Sequence, residues 1–232
     1  MKITKWMLTA AVAAALTCGC IFSTVKTAKK VVHKAEDVAI DAVRDILKES
    51  AEKAAAQLSV ENAYADDAAL RIVLPDELKD LNAKLSAIGM ADEFKKLEAA
   101  MNRAAVLAAK QAVPIFSNVI RHTKVKDVHG IVSGSSTAAT KYLRKRSWVH
   151  LRAAYLPIIK QCMSEVKAVD RFNKLRDKYN ALPTVNKCEF SVEDHVTDRA
   201  LLGLFARMGR AEKYLRKHPS KSASRTVRKV FR

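Results

Sequence analysis

Glycine and proline are scarce in this sequence, at 6 and 5 of 232 residues, and aromatic side chains make up only 6%. So few turn-formers and strand-favouring rings give poor support to a sandwich, a barrel or a glycine-loop nucleotide fold. No G-x-S-x-G, H-E-x-x-H, G-x-G-x-x-G, Walker or C-x-x-C motif occurs. The six histidines (His33, His122, His129, His150, His195 and His218) are scattered, and none has another histidine or cysteine three or four residues away. Neither a metal site nor a cofactor is therefore expected. With no nucleophile and base that can be paired, the expectation is a non-enzymatic protein. Apolar residues reach 49% and charged residues 28%. That balance excludes a disordered chain and allows a proper core. Alanine, leucine, lysine and valine dominate, which favours helix over sheet.

The chain opens on the plan of an export signal. Lys2 and Lys5 form a positive start, no charge occurs from Trp6 to Val25, and Ala10 to Leu16 is compact and apolar. The stretch ends in Leu16-Thr17-Cys18-Gly19-Cys20, which resembles the lipobox of bacterial lipoproteins. There a cysteine behind small residues is acylated and becomes the new N-terminus. Cys20 behind Gly19 fits best, so residues 1–19 are expected to be a signal peptide and Cys20 a lipid anchor. An uncleaved signal anchor and ordinary cleavage are the alternatives. All three place the rest of the chain in the cell envelope, on the periplasmic side. Two cysteines then remain, Cys162 and Cys188. They could pair in an oxidising compartment or stand as two buried thiols, and both readings stay open.

Apolar residues recur at steps of three and four through Val25, Ala28, Val32, Ala35, Ala39, Ala42 and Ile46. This predicts a helix from about Thr24 to Leu58, a candidate stalk. Ser59 to Ala69 is a polar interruption. Leu70 to Leu74 reads as extended, and Pro75 suits the first turn of a new helix that Gly89 stops. Further helical faces run through Leu78 to Ile88, Phe94 to Ala108 and Val169 to Tyr179. Thr123 is expected to cap a short helix ending near Gly134, and Ser147 to cap a new helix before Trp148. Ser191 and Asp194 form a capping-box-like pair ahead of a helix that reaches His218. The expected fold is all-α, a single multi-helix bundle. The expected divisions are a signal (1–19), an N-terminal helix and linker (20–69) and a helical domain (70–232).

The net charge of +18 is unevenly spread. Residues 20–140 hold 17 basic and 16 acidic side chains, whereas residues 141–232 hold 23 and 8. Lys141, Arg144 and Lys145 share one helical face, and Arg207, Arg210, Lys213 and Lys217 form a stripe. In the tail, Arg225 and Arg228 stand with Lys221, Lys229 and Arg232 opposite Val227, Val230 and Phe231, which predicts docking with the basic side outward. These cations are the expected anion-binding surface. Nucleic acid is disfavoured as the partner, because no aromatic side chains interleave the cations for base stacking. Glu212 and Arg216, four residues apart, read as a surface ion pair worth a few tenths of a kcal/mol. Asn102 and Arg103 interrupt an alanine-rich helix and read as a buried hydrogen-bonding network or as partners of Glu98 or Asp92.

Several segments carry a resemblance. They include Leu70-Arg71-Ile72-Val73-Leu74-Pro75, Met101-Asn102-Arg103-Ala104-Ala105, Ile131-Val132-Ser133-Gly134 and Asp194-His195-Val196-Thr197, with Gly203-Leu204-Phe205 and Lys229-Val230-Phe231 towards the end. In order and spacing, residues from about Leu70 to Phe231 resemble the bacterial domain-of-unknown-function 4197 family. The resemblance implies an all-helical envelope protein and supplies no activity. The chain departs from the family where Val106 replaces an acidic residue and Leu143 an aromatic. The functional expectation is an envelope lipoprotein, bound to a membrane by its lipid anchor, whose basic domain meets anionic lipid headgroups or an anionic envelope polymer. The alternatives are a periplasmic carrier of a hydrophobic ligand and, less favoured, a hydrolase.

Overall fold

A computed structural model describes residues 21–183 and 185–232. The expected signal and Cys20 lie outside the described residues. Among those described there are nine α-helices and no strand, so the fold is an all-α bundle.

Helix α1 (Ile21–Leu58) is a single long helix. From Ala42 onward it buries Val43, Ile46, Leu47, Ala51, Ala54, Ala55 and Leu58 in the main core. The stripe repeats every three to four residues, and its alanines let neighbouring helices approach closely. Earlier in the helix the same stripe is bare, with Val31 and Val32 63% and 61% exposed. The stalk expectation therefore fails for the second half of α1. Among the described residues, those from Ala42 to Leu58 and Tyr64 share one core with the residues after 70, across the expected boundary.

The polar interruption conceals an anchor. Tyr64 is fully buried, and its hydroxyl donates to the Ala200 carbonyl at 3.0 Å. Beyond it, residues 71–75 are extended and lead into a 3-10 turn (Asp76–Leu78) and α2 (Lys79–Ala87). Leu78, Leu81 and Leu85 face inward, while Ile88 is exposed. Gly89, at φ +85°, reverses the chain where a Cβ would be strained.

Helix α3 (Ala91–Ala109) buries the expected Phe94, Leu97, Met101, Ala104, Ala105 and Ala108. Helix α4 (Ala112–His122) carries Pro114 inside its first turn, where the missing N–H costs little. Thr123 closes α4 instead of opening a helix; its hydroxyl donates back to Val119. Asp127 is the cap of α5 (Val128–Ser133), accepting the Gly130 N–H at 2.8 Å. Helix α6 (Ala138–Glu165) runs unbroken through Ser147, which is buried and bonded to Thr123 at 3.0 Å. Helices α7 (Ala168–Asn180) and α8 (Val192–Lys217) follow, joined by the expected loop. Ser191 caps α8 by accepting the Asp194 N–H, as the sequence predicts. A 3-10 turn at Pro219–Lys221 precedes α9 (Arg225–Val230), which Ser224 caps.

Candidate anion-binding surface

Helices α6 and α8 run antiparallel, because Ala139 and Thr140 of α6 meet Glu212 of α8 while Arg152 meets Asp194 and Asp198. That packing decides which cations stay free. Lys141, Arg144 and Lys145 all lie exposed on α6, with the Arg144 guanidinium 5.6 Å from the centre of the Trp148 ring. None of the three has a carboxylate partner among the described residues. Arg152 is drawn into a fork of two acids, Asp198 at 2.6 Å and Asp194. Its hydrogen bonds to Asp198 and then Asp194 raise its pKa, which fixes its charge.

The stripe on α8 divides in two. Arg207 is only 22% exposed and bonds Asp67 at 2.9 Å, so it pins the loop after α1 and is not part of an open face. Arg210 stands 3.9 Å from the same carboxylate. Lys213 and Lys217 are exposed and without an acidic partner among the described residues. On α9, Arg225 is exposed, whereas Arg228 turns inward and donates to the carbonyls of Ser222 and Ala223. Arg207 and Arg228 are therefore structural, a correction to the expected surface. Lys141, Arg144, Lys145, Lys213, Lys217 and Arg225 remain, together with the half-answered Arg210.

The tail docks through Val227 and Phe231, with Arg228 turned inward rather than outward. Val227 is fully buried, and Phe231 packs on the core edge with the Arg216 guanidinium 4.4 Å above its ring. Arg216 thus ties the end of α9 to the end of α8, beside Lys213 and Lys217.

Glu212 overturns the surface-pair reading. It is fully buried and accepts the amide N–H of Ala139 at 3.0 Å, that of Thr140 at 2.8 Å and the Arg216 guanidinium at 2.8 Å. Its carboxylate supplies the cap that Thr137 does not give α6. Arg216 in turn donates to the carbonyls of Ile131 and Val132 at the end of α5. One ion pair thus satisfies the free N–H groups of one helix and the free carbonyls of another.

Asn102 is also structural: its side chain bonds Ile72 and the Glu98 carbonyl. Arg103 is exposed and pairs with neither Glu98 nor Asp92. Both Cys162 and Cys188 are free thiols, so the pairing alternative is not realised. Burial pushes the Cys162 thiol up, away from a reactive thiolate. Among the described residues no group of three His, Cys, Asp or Glu side chains could hold a metal ion. No described helix is long and apolar enough to cross a membrane.

The Arg207–Asp67 pair and the capping of α6 by Glu212 leave no mark in the sequence. They join residues 140 and 73 positions apart, and no local pattern marks such contacts.

Fold and composition together define a strongly basic all-α bundle protein. The chain belongs to the protein family of unknown function DUF4197, which it matches over residues 33–232. No curated protein and no solved structure matches it.

Proposed function

We propose that this protein is a non-enzymatic component of the cell envelope, held to a membrane at Cys20, whose basic face binds an anionic surface of lipid headgroups. One observation carries the reading: Lys141, Arg144, Lys145, Lys213, Lys217 and Arg225 are exposed, and no described carboxylate answers them. A solvated face of ordinary design intersperses both signs; this one does not. Each cation near an anionic membrane contributes about 1 kcal/mol, so several acting together give binding where one would not.

The test uses the full chain carrying Cys20→Ala, so that acylation does not mask the readout. Partitioning is compared between vesicles of phosphatidylcholine alone and vesicles containing phosphatidylglycerol. The anionic vesicles should bind more protein, and added salt should erase the difference through screening. Replacing Lys141, Arg144, Lys145, Lys213 and Lys217 by Gln should remove it too, with helical circular dichroism unchanged. Equal partitioning of parent and variant overturns the reading.

A further inference from the structure

We propose that the cleft between α4 and α6 is a binding site for a phosphate monoester group. The cleft has a volume of about 510 Å³. Its cations are Lys124, Lys126 and Arg146, and no carboxylate lines it. The reason is visible along the chain: between Glu98 and Glu165 the only acidic residue is Asp127, and its carboxylate is bonded to the Gly130 N–H. None of the three cations has an ion-pair partner among the described residues. The neighbouring cleft between α3 and α7 differs. There Lys96 and Arg171 both reach Glu93, and Glu165 lies in the wall.

One ring fastens the backbone that bears two of the cations and lies beside the third. The Tyr142 hydroxyl donates to the Lys124 carbonyl at 2.8 Å and accepts the Lys126 N–H at 3.2 Å. The Arg146 guanidinium lies 5.8 Å from the centre of the same ring. The segment bearing both lysines is thus fastened to α6 beside the arginine. This is preorganisation, which lowers the ordering cost of binding.

The floor is already satisfied. Thr123 Oγ1 donates to the Val119 carbonyl at 2.8 Å, and Ser147 Oγ, 3.0 Å away, then donates to Thr123. His122 is held by its Nδ1 against the Asn118 carbonyl at 2.8 Å. The cationic heads are unused, as are His150, the Asn118 Nδ2 and the His122 Nε2, above walls that include Val119 and Ala154. Charges of one sign over low-dielectric walls focus the field into the cleft. An arginine fork flanked by two ammonium groups matches a doubly charged, three-oxygen phosphate better than a carboxylate or a singly charged diester. The site stands on this geometry and does not depend on the exposed cations of α8 and α9.

Two sources carry this chemistry, a soluble sugar phosphate and a lipid headgroup, and calorimetry and vesicle partitioning separate them. In the first arm the full chain is titrated with glucose 1-phosphate. In the second, the full chain with Cys20→Ala is partitioned onto vesicles holding phosphatidic acid or phosphatidylglycerol at matched surface charge. Saturable binding of glucose 1-phosphate supports the site with a soluble source. A preference for phosphatidic acid alone supports it with a lipid source. In either case Arg146→Gln should weaken binding by about tenfold or more, and Arg146→Lys by less, because it keeps the charge and loses the fork. A Lys213→Gln, Lys217→Gln variant should leave the monoester signal unchanged. Arg146 is exposed, so these variants keep the fold, which circular dichroism checks. Absence of monoester binding in both arms overturns the proposal, as does binding indifferent to Arg146→Gln combined with Lys126→Gln. Vesicle binding that ignores headgroup type and depends only on Lys213 and Lys217 overturns this site while leaving the surface reading standing.

Discussion

Asn102 grips Ile72 by both backbone groups: its Oδ1 accepts the Ile72 N–H at 2.9 Å, and its Nδ2 donates to the Ile72 carbonyl at 2.8 Å. A side chain here stands in for a neighbouring strand. The rest of the extended segment is held in the same way. Glu98 accepts the Leu74 N–H at 3.1 Å, and His195 Nε2 lies 2.9 Å from the Val73 carbonyl. A segment with no sheet partner, buried at Ile72, is tolerated because side chains from α3 and α8 satisfy its backbone.

Asn102→Ala should orphan two buried backbone groups at Ile72. Each unsatisfied group costs about 1–3 kcal/mol, so a loss of about 2–6 kcal/mol is expected in denaturant unfolding. Hydrogen exchange at the Ile72 amide should rise with it. A loss below that of an ordinary surface substitution would refute the strand-like role.

Glu212→Ala separates two readings by magnitude. A surface pair at this spacing contributes a few tenths of a kcal/mol. Removing one partner of a buried pair costs about 3–5 kcal/mol, because the Arg216 charge and two helix amides lose their acceptor. Urea titration of wild type and variant decides between them.

His195 makes stability fall on acidification. Burial lowers its pKa below the ordinary value of 6.5. The unfolded chain therefore binds the proton first, and stability rises with pH through this range. The contribution is fully present above about pH 6.5 and is lost as pH falls through the depressed value. Denaturation midpoints measured from neutral to mildly acid pH should fall for wild type, with a shallower slope in His195→Gln. Identical slopes would remove His195 from the account.

Gly203→Ala should destabilise for want of room. A Cβ there would lie 2.7 Å from the Tyr64 ring, which is buried and held by its own hydroxyl bond. Overpacking of this kind costs about 1–3 kcal/mol. The thermal midpoint is the readout, and the Tyr64→Phe background should soften the penalty only if the ring can then retreat.

Periodicity made α3 legible almost residue by residue, since its apolar positions face one core throughout. Ser147 misled, because a serine before an apolar run signals a cap. Here its hydroxyl is met instead by Thr123 from another helix. Tyr64 was hidden in a polar stretch, where nothing local tells that a single ring turns inward. At the basic surface, charge counting located the excess correctly on the C-terminal part. It could not tell Arg207, answered by Asp67, from Lys213, answered by no described acid. Side-chain partners that lie far apart in the chain leave no periodic trace.

The last helix leans on the first. Asp45 of α1 accepts hydrogen bonds from Ser224 and Thr226, and Glu49 from Ser222, across separations of 173 to 181 residues. The chain is thereby closed like a ring whose clasp is made last. While it is being synthesised, the apolar stripe of α1 must wait for almost the whole sequence before its final cover arrives. Such distant closure slows folding relative to a bundle of neighbouring hairpins. A chain cut before Ser222 would leave Asp45 and Glu49 of α1 without these partners.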